Sequence, residues 1–116
     1  MNHSPLAYAE AYYKSMAAKN MAEVAHYLHP EVRFLSPVAS LTGKVVVLEA
    51  AERFSSFFNN LTIRAKFESG NQAMVVYNVD FPEPIGISRA AALMTVEEGL
   101  ITHIELFFDA SPFKQK

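Results

Sequence analysis

Cysteine is missing from this chain, which removes disulfides and thiolate metal sites from consideration. A reduced, cytoplasmic setting fits that composition. Also missing is any run near the roughly eighteen apolar residues that a membrane helix needs. The opening stretch MNHSPLAYAE has no basic segment leading into an apolar run, so no signal peptide is expected. Charge of one sign is scarce too. The net charge of −2, with acids and bases interspersed, leaves no electrostatic footprint for nucleic acid or anionic lipid. No repeat or low-complexity stretch divides the chain, so residues 1–116 read as a single domain.

What is present is apolar. Hydrophobic residues make up 51% of the chain against 19% charged, so apolar surface in excess of an ordinary core must go into a pocket, an interface or both. A chain of this size buries roughly 65% of its unfolded surface, enough for a core without staples.

Ser4-Pro5 opens a helix over residues 5–18, with Ser4 as cap and Pro5 at the first helical position. Asn20 caps a second helix, Glu23 is placed to complete a capping box, and Pro30 stops that helix near His29. EVRFLSP alternates as a short strand ended by Pro37, VASLTG is a loop, and residues 44–59 carry apolar side chains at helical spacing. Four strand-like runs follow: LTIRAKFES, QAMVVYNVDF, ISRAAALMTV and LITHIELFF. Turns at Gly70-Asn71, Pro82 to Gly86 and Glu97 to Gly99 join them. Helices segregated from an antiparallel meander define an α+β fold.

The last run places His103, Glu105 and Asp109 on one strand face. That pattern suits either a catalytic or metal cluster or an ordinary sheet face. AMVVYNVDF is apolar on both faces, with Met74 and Val76 one way and Val75, Tyr77, Val79 and Phe81 the other. A sheet with helices on one side shows polar residues on the other unless something covers it, and a second copy of the sheet is the simplest cover.

KNMAEVAHYLHPEVRFLSP, then LTGK leading into a helix, then EEGLITHIELFFD together resemble the nuclear transport factor 2-like superfamily, in its SnoaL-like and ketosteroid-isomerase-like branch. The resemblance spans about residues 5–110. It implies a cystatin-like cone, in which a strongly curved, mostly antiparallel sheet wraps about three helices around an apolar pocket, and it implies a homodimer through the outer sheet face. Carried onto this sequence, it puts Ile104, Leu106, Phe108, Ala90, Ala92, Met94, Met74, Val76, Asn78 and Asp80 on the pocket face. Ile101, His103, Glu105, Phe107, Val75, Tyr77, Val79 and Phe81 go outside. His103 and Glu105 are then interface residues, and no metal is expected.

The isomerase branch needs a carboxylate base before the proline that ends the first strand, where this chain has Ser36. A serine hydroxyl is no base near neutral pH without a stronger one beside it. Tyr12 stands where the branch has an oxyanion-binding tyrosine, but Ala92 occupies the position of its partner Asp. Ile104 and Leu106 replace the His and Asp of SnoaL-like cyclases, and Ala91 replaces an acid of the limonene epoxide hydrolase set. Scytalone dehydratase relies on pocket histidines, and His26 and His29, at the end of the second helix, could reach inward or stay exposed there.

The expected ligand-binding set is therefore Tyr12, Phe34, Ser36, Phe54, Met74, Asn78, Asp80, Met94, Ile104, Leu106 and Phe108. The expected guest is a small apolar molecule, with no cofactor. Phosphate ligands are disfavoured because that lining has no Arg or Lys. Asp80, desolvated at the rim, could serve with Tyr12 in proton transfer, or could simply accept turn amides. Two functions stay open: a binding module for a hydrophobic or cyclic molecule, and a cofactor-independent isomerase, dehydratase or cyclase.

Overall fold

A computed structural model describes residues 4–114. In chain order the elements are α1 (Pro5–Ala17), α2 (Met21–His26), β1 (Leu28–Leu35), β2 (Ser40–Thr42), α3 (Lys44–Ser55), β3 (Asn60–Ser69), β4 (Gln72–Asp80), β5 (Ile87–Glu97), β6 (Leu100–Phe108) and α4 (Ser111–Lys114). One six-stranded sheet runs β2-β1-β6-β5-β4-β3. Only the β1–β6 pair is parallel. Helix α1 lies against β3 and β4, and α3 lies against β1, so the helices occupy one side of the sheet. This is the α+β, cystatin-like arrangement.

Local chemistry sets the boundaries. The Ala7 amide donates to Ser4 Oγ at 3.1 Å, with Pro5 just inside the helix. At α2 the Glu23 amide donates to Asn20 Oδ1 at 3.2 Å, but the capping box is only half built. The Asn20 amide turns back to the Ser15 carbonyl instead, and Glu23 Oε1 accepts from the Tyr27 hydroxyl. Helix α2 stops at His26, before the proline, because the chain is already joining the sheet: the Ile101 amide donates to the Tyr27 carbonyl at 2.8 Å. The expected loop at 38–43 contains β2, which pairs antiparallel with β1. Gly43 ends it with φ +102°, a conformation side chains rarely adopt, and starts α3 directly.

Register decides the faces. Tyr77 pairs with Ala90 and Val75 with Ala92 on β5, and Ala90 and Met94 in turn oppose Phe108 and Ile104 on β6. Paired residues share a face, so Val75, Tyr77, Val79 and Phe81 point toward the helices, and all four are buried. Met74, Val76, Asn78 and Asp80 point away. The orientation expected for β4 is therefore reversed. The physical reason is simple: the wholly apolar face went inside, and the one carrying Asn78 and Asp80 went out.

A second correction concerns Ile101. A register shift between Thr95 and Val96 pairs Thr95 with His103 but Val96 with Ile101. The extra residue, Thr102, turns Ile101 into the core, where it is fully buried, while His103 stays outside.

Candidate functional site

A cavity of about 360 Å³ lies between the inner sheet face and the helices α1 and α3. Tyr12, Tyr13 and Met16 contribute from α1, and Val47, Ala50, Ala51 and Phe54 from α3, with Phe57 just beyond its end. The sheet supplies Phe34 and Ser36 near the end of β1, Tyr77 and Val79 from β4 with Phe81 just after it, Ser88 and Ala90 from β5, and Leu106 and Phe108 from β6. The volume is at the small end of ligand pockets, which run from about 300 to 1,000 Å³.

The two ends differ. Tyr12 and Tyr77, each only 3% exposed, mark the deep end with Tyr13. Val38 at 56% exposure, Phe57 at 47% and the exposed Arg53 mark the mouth.

Aromatic packing builds the walls. The Phe54 ring sits 4.8 Å from Phe58 and 6.1 Å from Phe81, and Phe57 sits 5.4 Å from Phe81, which fixes the end of α3 against β4. Lys19 fastens the same corner from the α1–α2 turn: its ammonium donates to the Phe58 carbonyl at 2.6 Å and lies 4.6 Å from that ring's centre. At the deep end Tyr13 stacks on Tyr77 at 4.5 Å and meets Tyr12 edge-on at 5.1 Å. The Tyr77 hydroxyl donates to the Tyr13 oxygen at 3.2 Å. The Tyr12 hydroxyl has no hydrogen-bond partner among the described residues, which leaves a donor available to a guest.

Burial pushes all three of these phenols well above the ordinary value near 10, because a phenolate there would lose its hydration. A folded-state pKa raised in this way favours the neutral form. The corresponding stability is present below pH 10 and is lost as the pH rises beyond it. Absorbance titration at alkaline pH is therefore expected to show Tyr12, Tyr13 and Tyr77 ionising only together with loss of the folded circular dichroism signal. Ionisation of all five tyrosines with the fold intact would contradict this.

Six of the expected site residues line the cavity: Tyr12, Phe34, Ser36, Phe54, Leu106 and Phe108. Met94 and Ile104 do not; they are buried in the core. Met74, Asn78 and Asp80 lie on the other side of the sheet with the rest of that β4 face, so Asp80 and Tyr12 cannot act on one substrate. Ser36 is also committed elsewhere. Its Oγ accepts the Val38 and Ala39 amides at 3.2 and 3.1 Å and shapes the β1–β2 turn.

His103 and Glu105 face outward, and His103 Nδ1 lies 3.3 Å from Thr102 Oγ1. The described residues contain no cluster of histidines and carboxylates that could hold a metal. His26 is exposed, and His29 Nδ1 accepts the Glu31 amide at 3.0 Å.

Most of the other lining residues escaped the sequence reading, among them the polar Tyr13, Tyr77 and Arg53. Arg53 had a signal, since it falls at helical spacing within the stripe Ala50, Phe54, Phe57. Its presence overturns the expectation of a lining without Arg or Lys.

A cone of curved sheet closed by helices over an apolar cavity defines a class of small α+β proteins. The sequence profile of SnoaL-like domains matches residues 9–104, and the chain belongs to that family. Comparison with curated proteins gives no match. Among solved structures, a protein from Kribbella flavida superposes with a TM-score of 0.91 at 22% identity, over 98% of this chain and 93% of its own. An NTF2-like protein of unknown function from Cytophaga hutchinsonii gives 0.86 at 18% identity, over 99% and 98%. A protein with a cystatin-like fold from Silicibacter pomeroyi gives 0.79 at 19% identity, over 90% and 74%. At these identities the likeness is one of fold.

Proposed function

We propose that this protein binds a small hydrophobic or cyclic molecule in the cavity of the cone, without the catalytic sets of the known branches. The lining carries the reading. It is apolar and aromatic, with a few hydroxyls, and no carboxylate or imidazole stands among the described residues that form it. A proton-transfer isomerase, dehydratase or cyclase needs a base of suitable pKa at the substrate. Asp80 faces away from the cavity, and the buried tyrosines are held neutral. Binding therefore fits better than catalysis, and no cofactor enters the reading. A reducing, cytoplasmic setting suits the cysteine-free chain.

The test is calorimetric titration with methyl β-naphthyl ketone, a flat neutral guest with one acceptor oxygen. One saturable site per chain is expected. No heat from this ketone or from a panel of steroid-like and aromatic compounds would contradict the reading.

We also propose a homodimer through the outer sheet face, in which Phe107 stays from the expected set and the β4 residues change. Phe107 is 46% exposed and Leu35 51%, and the half-buried Met74, Val76 and Leu93 lie on the same face. The Asn78 Oδ1 on that face is covered yet has no hydrogen-bond partner among the described residues. A second copy would cover the apolar area; a standard interface takes about 800 Å² from each partner. The double variant Leu35→Glu, Phe107→Glu is expected to sediment as a monomer while the native protein sediments as a dimer. A native protein that stays monomeric at high concentration would end this proposal.

A further inference from the structure

Among the described residues Arg53 is the only charged side chain that lines the cavity, and it stands at the mouth. It makes no salt bridge among the described residues. Glu49 and Glu52 share its helix but lie outside the lining, exposed to solvent. An unpaired guanidinium, with five donors in a planar fork, thus overlooks an apolar cavity whose other polar lining groups are hydroxyls. We propose that the guest is an amphiphilic monoanion, with a flat apolar body inside the cone and a carboxylate at the mouth held by Arg53. This rests on the cavity being a binding site, and it narrows what that site takes.

The geometry allows only one orientation. At the mouth, a carboxylate keeps part of its hydration and meets a cation. At the deep end it would meet neutral phenols in surroundings that already disfavour a phenolate, so an anion placed there would lose its water without gaining a counter-charge. The rim residues Val38 and Phe57 extend the apolar surface outward and shield the ion pair from bulk solvent. The cavity, at about 360 Å³, has room for a two-ring aromatic body.

The experiment compares β-naphthoate with methyl β-naphthyl ketone, which differ by a carboxylate oxygen against a methyl group. Binding to the native protein, Arg53→Gln and Arg53→Lys is measured by calorimetry at low and at raised salt. Native protein is expected to bind the naphthoate about tenfold more tightly than the ketone, as a charge-assisted contact at a partly shielded site allows. Arg53→Gln is expected to remove that preference, Arg53→Lys to retain part of it, and salt to weaken only the naphthoate. Arg53 is exposed, so the variants should melt like the native protein. A native protein that prefers the ketone, or an Arg53→Gln variant that keeps the naphthoate preference, would overturn the anion assignment and leave the apolar cavity standing. Failure of both compounds to bind would remove the cavity reading and this inference with it.

Discussion

Tyr77→Glu is expected to unfold the protein, whereas Val76→Glu, one residue earlier on the same strand, leaves it folded. The two side chains point to opposite faces of the sheet. Tyr77 is 3% exposed, stacks on Tyr13 at 4.5 Å and donates a hydrogen bond to it. Truncating a large buried aromatic costs about 3–5 kcal/mol, and an unpaired buried charge adds several more. Together these are comparable to the roughly 5–15 kcal/mol that holds most domains folded. Val76 is half-buried on the outer face, where a carboxylate can reach water, so its cost is near the ordinary ~1 kcal/mol. At the dimer face proposed here, Val76→Glu should also favour the monomer. Urea unfolding monitored by circular dichroism checks both. A tolerated Tyr77→Glu beside an unfolded Val76→Glu would show that β4 is turned the other way.

Ala90→Phe is expected to abolish binding of methyl β-naphthyl ketone without lowering the melting temperature. Ala90 sits on β5 between Tyr77 and Phe108, and its side chain borders the cavity. A phenyl ring there projects into empty space instead of packed core, so the usual penalty for overpacking does not arise. Filling the cavity removes the room the guest needs. Affinity should fall at least about a hundredfold, or about 2.8 kcal/mol at 1.4 kcal/mol per factor of ten. Unchanged ketone affinity in a folded Ala90→Phe protein would place the binding site elsewhere.

Most of the fold was legible because its signals are local. Ser4-Pro5, Asn20, the helical stripe of α3 and the three hairpin turns each act within a few residues, and the strand LITHIELFF matches β6 residue for residue. The site was less legible because it depends on parity and register. Strand β4 is apolar on both faces, and shifting a strand by one residue exchanges every side chain. Polarity alone would have oriented it: the face with Asn78 and Asp80 is the more polar, and it went out. Placing those two in the pocket came from the resemblance instead, and it carried Asp80 to the wrong side. The bulge at Thr102 has no sequence signal, since Thr is at home in a regular strand. Strand β2 has only three residues and exists through its pairing with β1, which no local pattern announces.

The central claim, that the inner cavity takes an apolar guest, is tested most directly by nuclear magnetic resonance with labelled alanine and methionine methyl groups. Met16, Ala50 and Ala90 line the cavity, while Met74 and Ala91 lie on the outer face. Titration with methyl β-naphthyl ketone is expected to shift the first three methyl signals saturably, with one common dissociation constant, and to leave Met74 and Ala91 in place. Shifts confined to Met74 and Ala91, or none at any of the five, would contradict the account.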